Sequence, residues 1–192
     1  ILLYGGNQDL EPETARTWSA GVDFRPAFAP DLTASFTFYD IKYDDVIGTP
    51  SGLGALLFSD PTFSERVIRD PGAAQLDAAI AGTVPFYYTF SAVPPIGNIL
   101  DLRQGNFGVR KTNGIDFDVN YRRSLGFGTV FAGIAGNYIL NYTNRLSPTS
   151  TESNSLDAGI PRATFRTTLG VRAGPVTFVN FVNHRAGVTA SY

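Results

Sequence analysis

Gly114-Ile115-Asp116-Phe117-Asp118-Val119-Asn120-Tyr121 alternates apolar and polar without a break. Side chains of a strand point to its two faces in turn, so Ile115, Phe117, Val119 and Tyr121 share one face and Asp116, Asp118 and Asn120 the other. Arg122-Arg123-Ser124-Leu125-Gly126 then reads as a turn. Thr129 to Tyr142 reads as the return strand, with Val130, Ala132, Ile134, Tyr138, Leu140 and Tyr142 on one face and Gly136 among them. A soluble sheet packed on a core can alternate in the same way. Length is the less common feature, because each arm matches the roughly 9–11 residues with which a tilted strand crosses a bilayer. Whether the apolar face meets protein or lipid decides the fold.

Composition leans toward lipid. Only 17% of the 192 residues are charged, against about 25% in ordinary soluble domains. Fifteen Phe, nine Tyr and 20 Gly suit an all-β chain short of solubilising charge. A net charge of -2, with no Lys/Arg cluster, offers no footprint for a phosphate backbone, so nucleic acid is not an expected partner. Cysteine is absent, which excludes disulfides, thiolate chemistry and Cys-based metal sites. No apolar run approaches the roughly 18 residues of a membrane helix. Ile1-Leu2-Leu3-Tyr4 has neither an initiating Met nor a signal-like start, and reads as the middle of a longer chain.

Taken in order, Gly5 to Glu13 is a polar loop in which Pro12 argues against a central strand. Thr14 to Arg25 is the first long strand, with Trp18, Ala20, Val22 and Phe24 on one face and Thr17, Ser19, Gly21 and Asp23 on the other. Pro26 and Pro30 bracket a short connection. In the next strand Leu32, Ala34, Phe36 and Phe38 alternate with Thr33, Ser35, Thr37 and Tyr39, and the run continues to Val46.

Between Gly48 and Asn106 the periodicity is lost, and an irregular connection that long is usually functional or mobile. Within it Asp70 as N-cap, Pro71 at the first position, Leu76 and Ile80 four apart and Gly82 as the stop predict a helix. A second irregular stretch, Arg145 to Pro161, precedes a strand from Ala163 to Arg172. Ala173-Gly174-Pro175 turns the chain into a last strand, Val176 to Asn183, whose two faces are nearly equally apolar and so leave its facing open.

The connections alternate short and long, which predicts an antiparallel sheet with short turns at one end and loops at the other. An outer-membrane β-barrel has this asymmetry, with apolar-out and polar-in alternation. Closure satisfies every backbone group in lipid, but about eight strands are the minimum, and about six are readable here. The expected fold is therefore an all-β, antiparallel portion of a larger transmembrane barrel. A small stand-alone porin-like barrel and a soluble β-sandwich that binds carbohydrate are the alternatives.

Asn7-Gln8-Asp9-Leu10-Glu11-Pro12-Glu13-Thr14, followed by Trp18-Ser19-Ala20-Gly21-Val22-Asp23-Phe24, resembles the N-x-x-L-x-P-E signature of TonB-dependent outer-membrane receptors. Phe38 to Ile47 is similar to that family's following strand, Thr112 to Asp118 to its G-(I/V)-(D/E)-x-(D/E) strand, and Val67 to Leu76 to a loop helix common in such receptors. The resemblance implies the C-terminal part of a 22-stranded barrel in the outer membrane of a Gram-negative bacterium. It implies import of a ferric siderophore, haem, vitamin or glycan rather than enzyme chemistry. The implied partners are outer-membrane lipid, a plug domain, the TonB–ExbB–ExbD complex and the small-molecule ligand; no resident cofactor is implied. Neither plug nor TonB box is found among these residues.

The candidate sites follow. Phe86, Tyr87, Tyr88 and Phe90 form an aromatic group in the long connection at about 48–106 and are the candidate ligand contacts, or else that loop's own small core. Asp116, Asp118, Asn120, Arg166 and Arg172 occupy polar strand faces and are candidate lumen-wall residues. Asp116 and Asp118 have neither a His nor a third carboxylate beside them in sequence, which argues against a metal or an acid–base pair. The single His184, at a strand end, reads as a wall residue rather than a metal ligand.

Overall fold

The structure, a computed structural model, describes residues 1–50, 56–81, 97–147, 149–156 and 159–189. In chain order the elements are β1 (Leu2–Leu3), β2 (Thr14–Phe24), β3 (Leu32–Gly48), α1 (Leu56–Ser59), a 3-10 turn (Pro61–Arg66), β4 (Val67–Arg69) and α2 (Ala73–Ile80). They continue with β5 (Asn98–Asp101), β6 (Gly105–Leu125), β7 (Gly128–Arg145), β8 (Ser153–Asn154), β9 (Ala163–Ala173) and β10 (Val176–Arg185). Two compact units result. The first comprises Ile1–Thr14, Asp44–Val109 and Arg145–Thr151; the second comprises Ala15–Tyr43, Arg110–Asn144 and Glu152–Tyr192.

The second unit is built on an up-and-down sheet ordered β10-β9-β7-β6-β3-β2, with β8 added beside β7. Its connections are tight at one end. Ala173 faces Val176 across a two-residue turn, and Gly174 supplies the left-handed φ of 54° that the turn requires. Between β6 and β7 only Gly126 and Phe127 lie outside the strands, so the expected turn at 122–126 is shorter and Arg122 to Leu125 remain in β6. A side chain on Gly128 would meet the Arg172 carbonyl, which explains its small residue.

Pairing fixes the faces. Val130, Ala132, Ile134 and Gly136 of β7 stand opposite Val171, Leu169, Thr167 and Phe165 of β9. In turn Val171, Leu169, Thr167 and Phe165 stand opposite Phe178, Asn180, Val182 and His184 of β10. That register resolves the last strand: Phe178 and Val182 join the apolar face, and Thr177, Val179, Phe181 and Asn183 join the polar one. On the apolar face Trp18 and Phe38 meet with ring centroids 5.6 Å apart. The face is nevertheless open, since Trp18, Phe36, Leu169, Phe178 and Val182 are all exposed.

Buried apolar side chains concentrate in the first unit. Leu57, Phe63, Val67 and Leu102 form its core, with Leu100 and Phe107 packed against them, and Phe63 is completely buried. Phe63 meets Phe107 edge to face at 5.2 Å, the geometry that ring quadrupoles favour. A three-stranded sheet ordered β1-β5-β4 runs through this unit. β1 and β5 pair in parallel, Leu2 with Leu100 and Leu3 with Asp101, in a small sheet that the sequence pattern did not foretell and that is separate from the large antiparallel one. Within the connection at 48–106, the described residues 56–69, 73–80 and 98–101 form short helices and strands rather than irregular chain. Strands of two to four residues are too short to show a period.

Helix α2 is confirmed but starts later than predicted. Asp70 is not its cap: it adopts φ 48°, and its amide donates to the Gly97 carbonyl at 2.8 Å. The helix begins after Gly72, whose amide donates to the Gln75 side chain at 2.9 Å, satisfying one exposed donor of the first turn. Gly82, the predicted stop, lies outside the described residues.

Candidate functional site

Two surfaces carry polar side chains in an organised way: the polar face of the large sheet and the loop unit. On the sheet, the Asn137 amide nitrogen donates to Asp116 Oδ1 at 2.7 Å and lies 3.0 Å from the Tyr39 hydroxyl. Asn120 donates to Asp118. Arg166 donates from Nε to Asn183 at 2.8 Å and lies over the Phe181 ring, 5.6 Å from its centroid. Arg172 reaches the Thr177 hydroxyl at 3.2 Å, and Arg122 lies over the Phe131 ring at 5.4 Å.

Arg166 is opposite Ala135, Arg172 is opposite Thr129, and Asn137 joins the same face to Asp116. Asp116, Asp118, Asn120, Arg166 and Arg172 therefore share one face, as their alternation predicts. They are not gathered into one cluster, however. The carboxylates lie on β6 and the arginines on β9, with β7 between them. Each makes a hydrogen bond to a neighbouring strand or residue. Such an array lines a wet surface with alternating acceptors and donors, and nothing in it has the geometry of a catalytic pair.

His184 is on the opposite face, stacked on Phe165 with ring centroids 4.5 Å apart. Among the described residues no group of three or more His, Cys, Asp or Glu is placed to hold a metal ion. Phe86, Tyr87, Tyr88 and Phe90 lie outside the described residues.

In the loop unit the structure shows groups that the sequence reading passed over. Asp101 accepts two parallel bonds from Arg103, from Nε at 2.9 Å and Nη2 at 2.8 Å, with Arg66 Nη1 3.9 Å away. The Arg103 bonds outweigh partial burial and hold the Asp101 carboxyl below the usual range. Arg103 also lines a pocket of ≈ 480 Å³ with Tyr4, the backbone of Gly5 and Gly6, Asn7, Gln8 and Asp9. Leu3, Ala78 and Ala79 complete its lining, so its walls mix polar and apolar groups.

Asp60 is nearly buried, at 9% exposure, and Ser147 is fully buried. The Ser147 hydroxyl donates to Asp60 Oδ2 at 2.5 Å, the Thr149 hydroxyl donates to Oδ1, and the Thr62 amide donates to Oδ1 at 3.0 Å. Burial alone would raise this carboxyl's pKa, but the donors from Ser147, Thr149 and Thr62 prevail and hold it at about 2. The signal available in the sequence was Asp60-Pro61, the same punctuation as Asp70-Pro71. Here it does cap a helical turn.

The polar loop at the start of the chain also acquires a physical reading. Asn7 closes a turn by accepting the Asp9 amide at 3.0 Å, and Glu13 accepts the Ile47 amide at 2.8 Å. The Asn106 side chain exchanges bonds with the Glu11 backbone at 2.9 and 2.7 Å and also donates to the Asp45 carbonyl at 2.9 Å. Asp45 has a φ of 59°, a break within β3 at which its carbonyl turns to this amide. Asn7 and Glu13, two of the signature residues, are therefore tethers within this unit.

A family model described as TonB dependent receptor-like, beta-barrel, matches residues 2–192. No curated protein matches the chain, and no solved structure does.

Proposed function

This chain belongs to the TonB-dependent receptor β-barrel family, and from that premise we propose that it is the C-terminal barrel portion of a receptor importing a scarce nutrient across the outer membrane. The family match over nearly the whole chain carries the reading, and the two-faced sheet supports it. In this reading the face with Trp18, Phe36, Leu169 and Phe178 meets lipid, while Asp116, Asp118, Asn120, Arg166 and Arg172 line the lumen. The connections at about 48–106 and 145–161 are extracellular and, with Phe86, Tyr87, Tyr88 and Phe90, meet the ligand first.

The partners this reading requires are outer-membrane lipid, a plug domain within the barrel and the TonB–ExbB–ExbD complex. The complex supplies the energy that moves the plug. The cargo is a ferric siderophore, haem, a vitamin or a glycan, recognised in the loops and passed along a lumen wall of paired polar side chains. No reaction chemistry is assigned to the chain.

Removal of residues 60–100 from the full-length protein tests the proposal. We expect loss of binding and uptake across a panel of ferric siderophores, haem, cobalamin and oligosaccharides, with insertion into the outer membrane retained. Unchanged uptake of a transported member of that panel would overturn the assignment of ligand capture to this connection.

A further inference from the structure

We propose that Asp60 is a latch that joins segment 60–69 of the first connection, at 48–106, to the Ser147 and Thr149 turn of the second, at 145–161, so that the two fold cooperatively. The observation is a buried carboxylate whose hydrogen-bond capacity is divided between segments 87 residues apart in sequence. Thr62 and the turn that Asp60 caps belong to the first connection; Ser147 and Thr149 belong to the second. Both sides are preorganised. Ser147 is held by Ser150, whose amide donates to the Ser147 hydroxyl at 3.0 Å and whose hydroxyl accepts the Ser147 amide at 2.9 Å. On the other side the Phe63 amide donates to the Asp60 carbonyl at 3.0 Å, placing the capped turn directly on the buried Phe63.

The physical consequence is all-or-none behaviour. A carboxylate shut away from water is tolerated only while its donors are present. If the 145–161 segment left, Asp60 would lose the Ser147 and Thr149 hydroxyls together, and burial would then oppose its charge. If the 60–66 turn opened, Ser147 would lose its carboxylate acceptor and keep only the Thr149 hydroxyl, 3.2 Å away. Neither segment can open alone without taking a hydrogen bond from a buried polar group of the other. The two therefore form a single platform rather than two independent loops. This holds whether or not the platform binds ligand.

The test is hydrogen exchange on the full-length protein in detergent, without ligand. Asp60→Asn should speed exchange of backbone amides at both 61–69 and 149–156 by about tenfold or more, with β9 and β10 unchanged. Ser147→Ala, a milder change located in the second connection, should speed exchange at 61–69 in the first. The double variant should not appreciably exceed Asp60→Asn alone, because both substitutions remove one shared unit. Acceleration confined to the substituted segment, or additive effects in the double variant, would overturn the proposal.

Discussion

A buried carboxylate must be surrounded by donors to stay ionised, and at Asp60 these are the hydroxyls of Ser147, Thr149 and Thr62 and the Thr62 amide. Because those donors hold its pKa at about 2, below the ordinary 3.8, the native state favours the ionised form. The resulting stability is complete above the unfolded value and is lost as pH falls from about 4 toward 2, a change of about 2 kcal/mol. Limited proteolysis of the loop unit should therefore accelerate across that pH window, and Asp60→Asn should abolish this part of the pH dependence. A second residue dominates the same unit through packing. Phe63 is wholly enclosed and meets Phe107 edge to face, so Phe63→Ala should cost about 3–5 kcal/mol of local stability. Exchange in β4 and β5 should report that loss. Neither residue could be found by periodicity, since the Asp60–Ser147 contact spans 87 positions and the core of this unit is assembled from segments of a few residues.

At the scale of elements, what could be read depended on whether the two strand faces differ. β2, β3, β6, β7 and β9 alternate cleanly, and their positions were legible to within a few residues. β10 was legible as a strand but not in its facing, because Phe178 and Val182 on one side are matched by Val179 and Phe181 on the other. Only pairing with β9 separates them: Val182 opposes Thr167 beside the apolar row, while Val179 opposes Gly170 beside Arg172. The β6–β7 turn was misplaced for the opposite reason, since Arg122 to Ser124 look like turn residues yet belong to the exposed, polar end of a strand. In the loop unit, Asp70 carried the chemistry of an N-cap but not its backbone, because its φ of 48° lies outside the extended region that an N-cap adopts. The register makes a controlled prediction from two valines three positions apart. Val182→Arg should destabilise the inserted barrel by about 2–4 kcal/mol if it lies near the membrane midplane, whereas Val179→Arg should cost less than about 1. Heat-dependent mobility in detergent gels measures both, and equal effects would contradict the facing assigned to β10.

At the scale of the whole molecule, the shortage of charge and the open apolar face describe one property twice. Of the buried aliphatic and aromatic residues among those described, Leu156 belongs to the sheet unit and the rest belong to the loop unit. A soluble sandwich would have covered Trp18, Phe36, Leu169 and Phe178 with a second layer, and a sheet destined for lipid has no need to. Among the described residues, the terminal strands of the sheet, β2 and β10, each have a neighbour on one side only. In a closed barrel of this family those edges pair with further strands, since an unpaired row of amides and carbonyls cannot remain in hydrocarbon. Outside a bilayer the same edges are templates for association. The 192 residues expressed alone should therefore sediment from detergent-free buffer as aggregates and stay dispersed only in detergent or lipid. Analytical ultracentrifugation with and without detergent decides the matter. A monodisperse, detergent-free monomer would require that the exposed aromatic face be covered by protein, and the assignment of that face to lipid would have to be withdrawn.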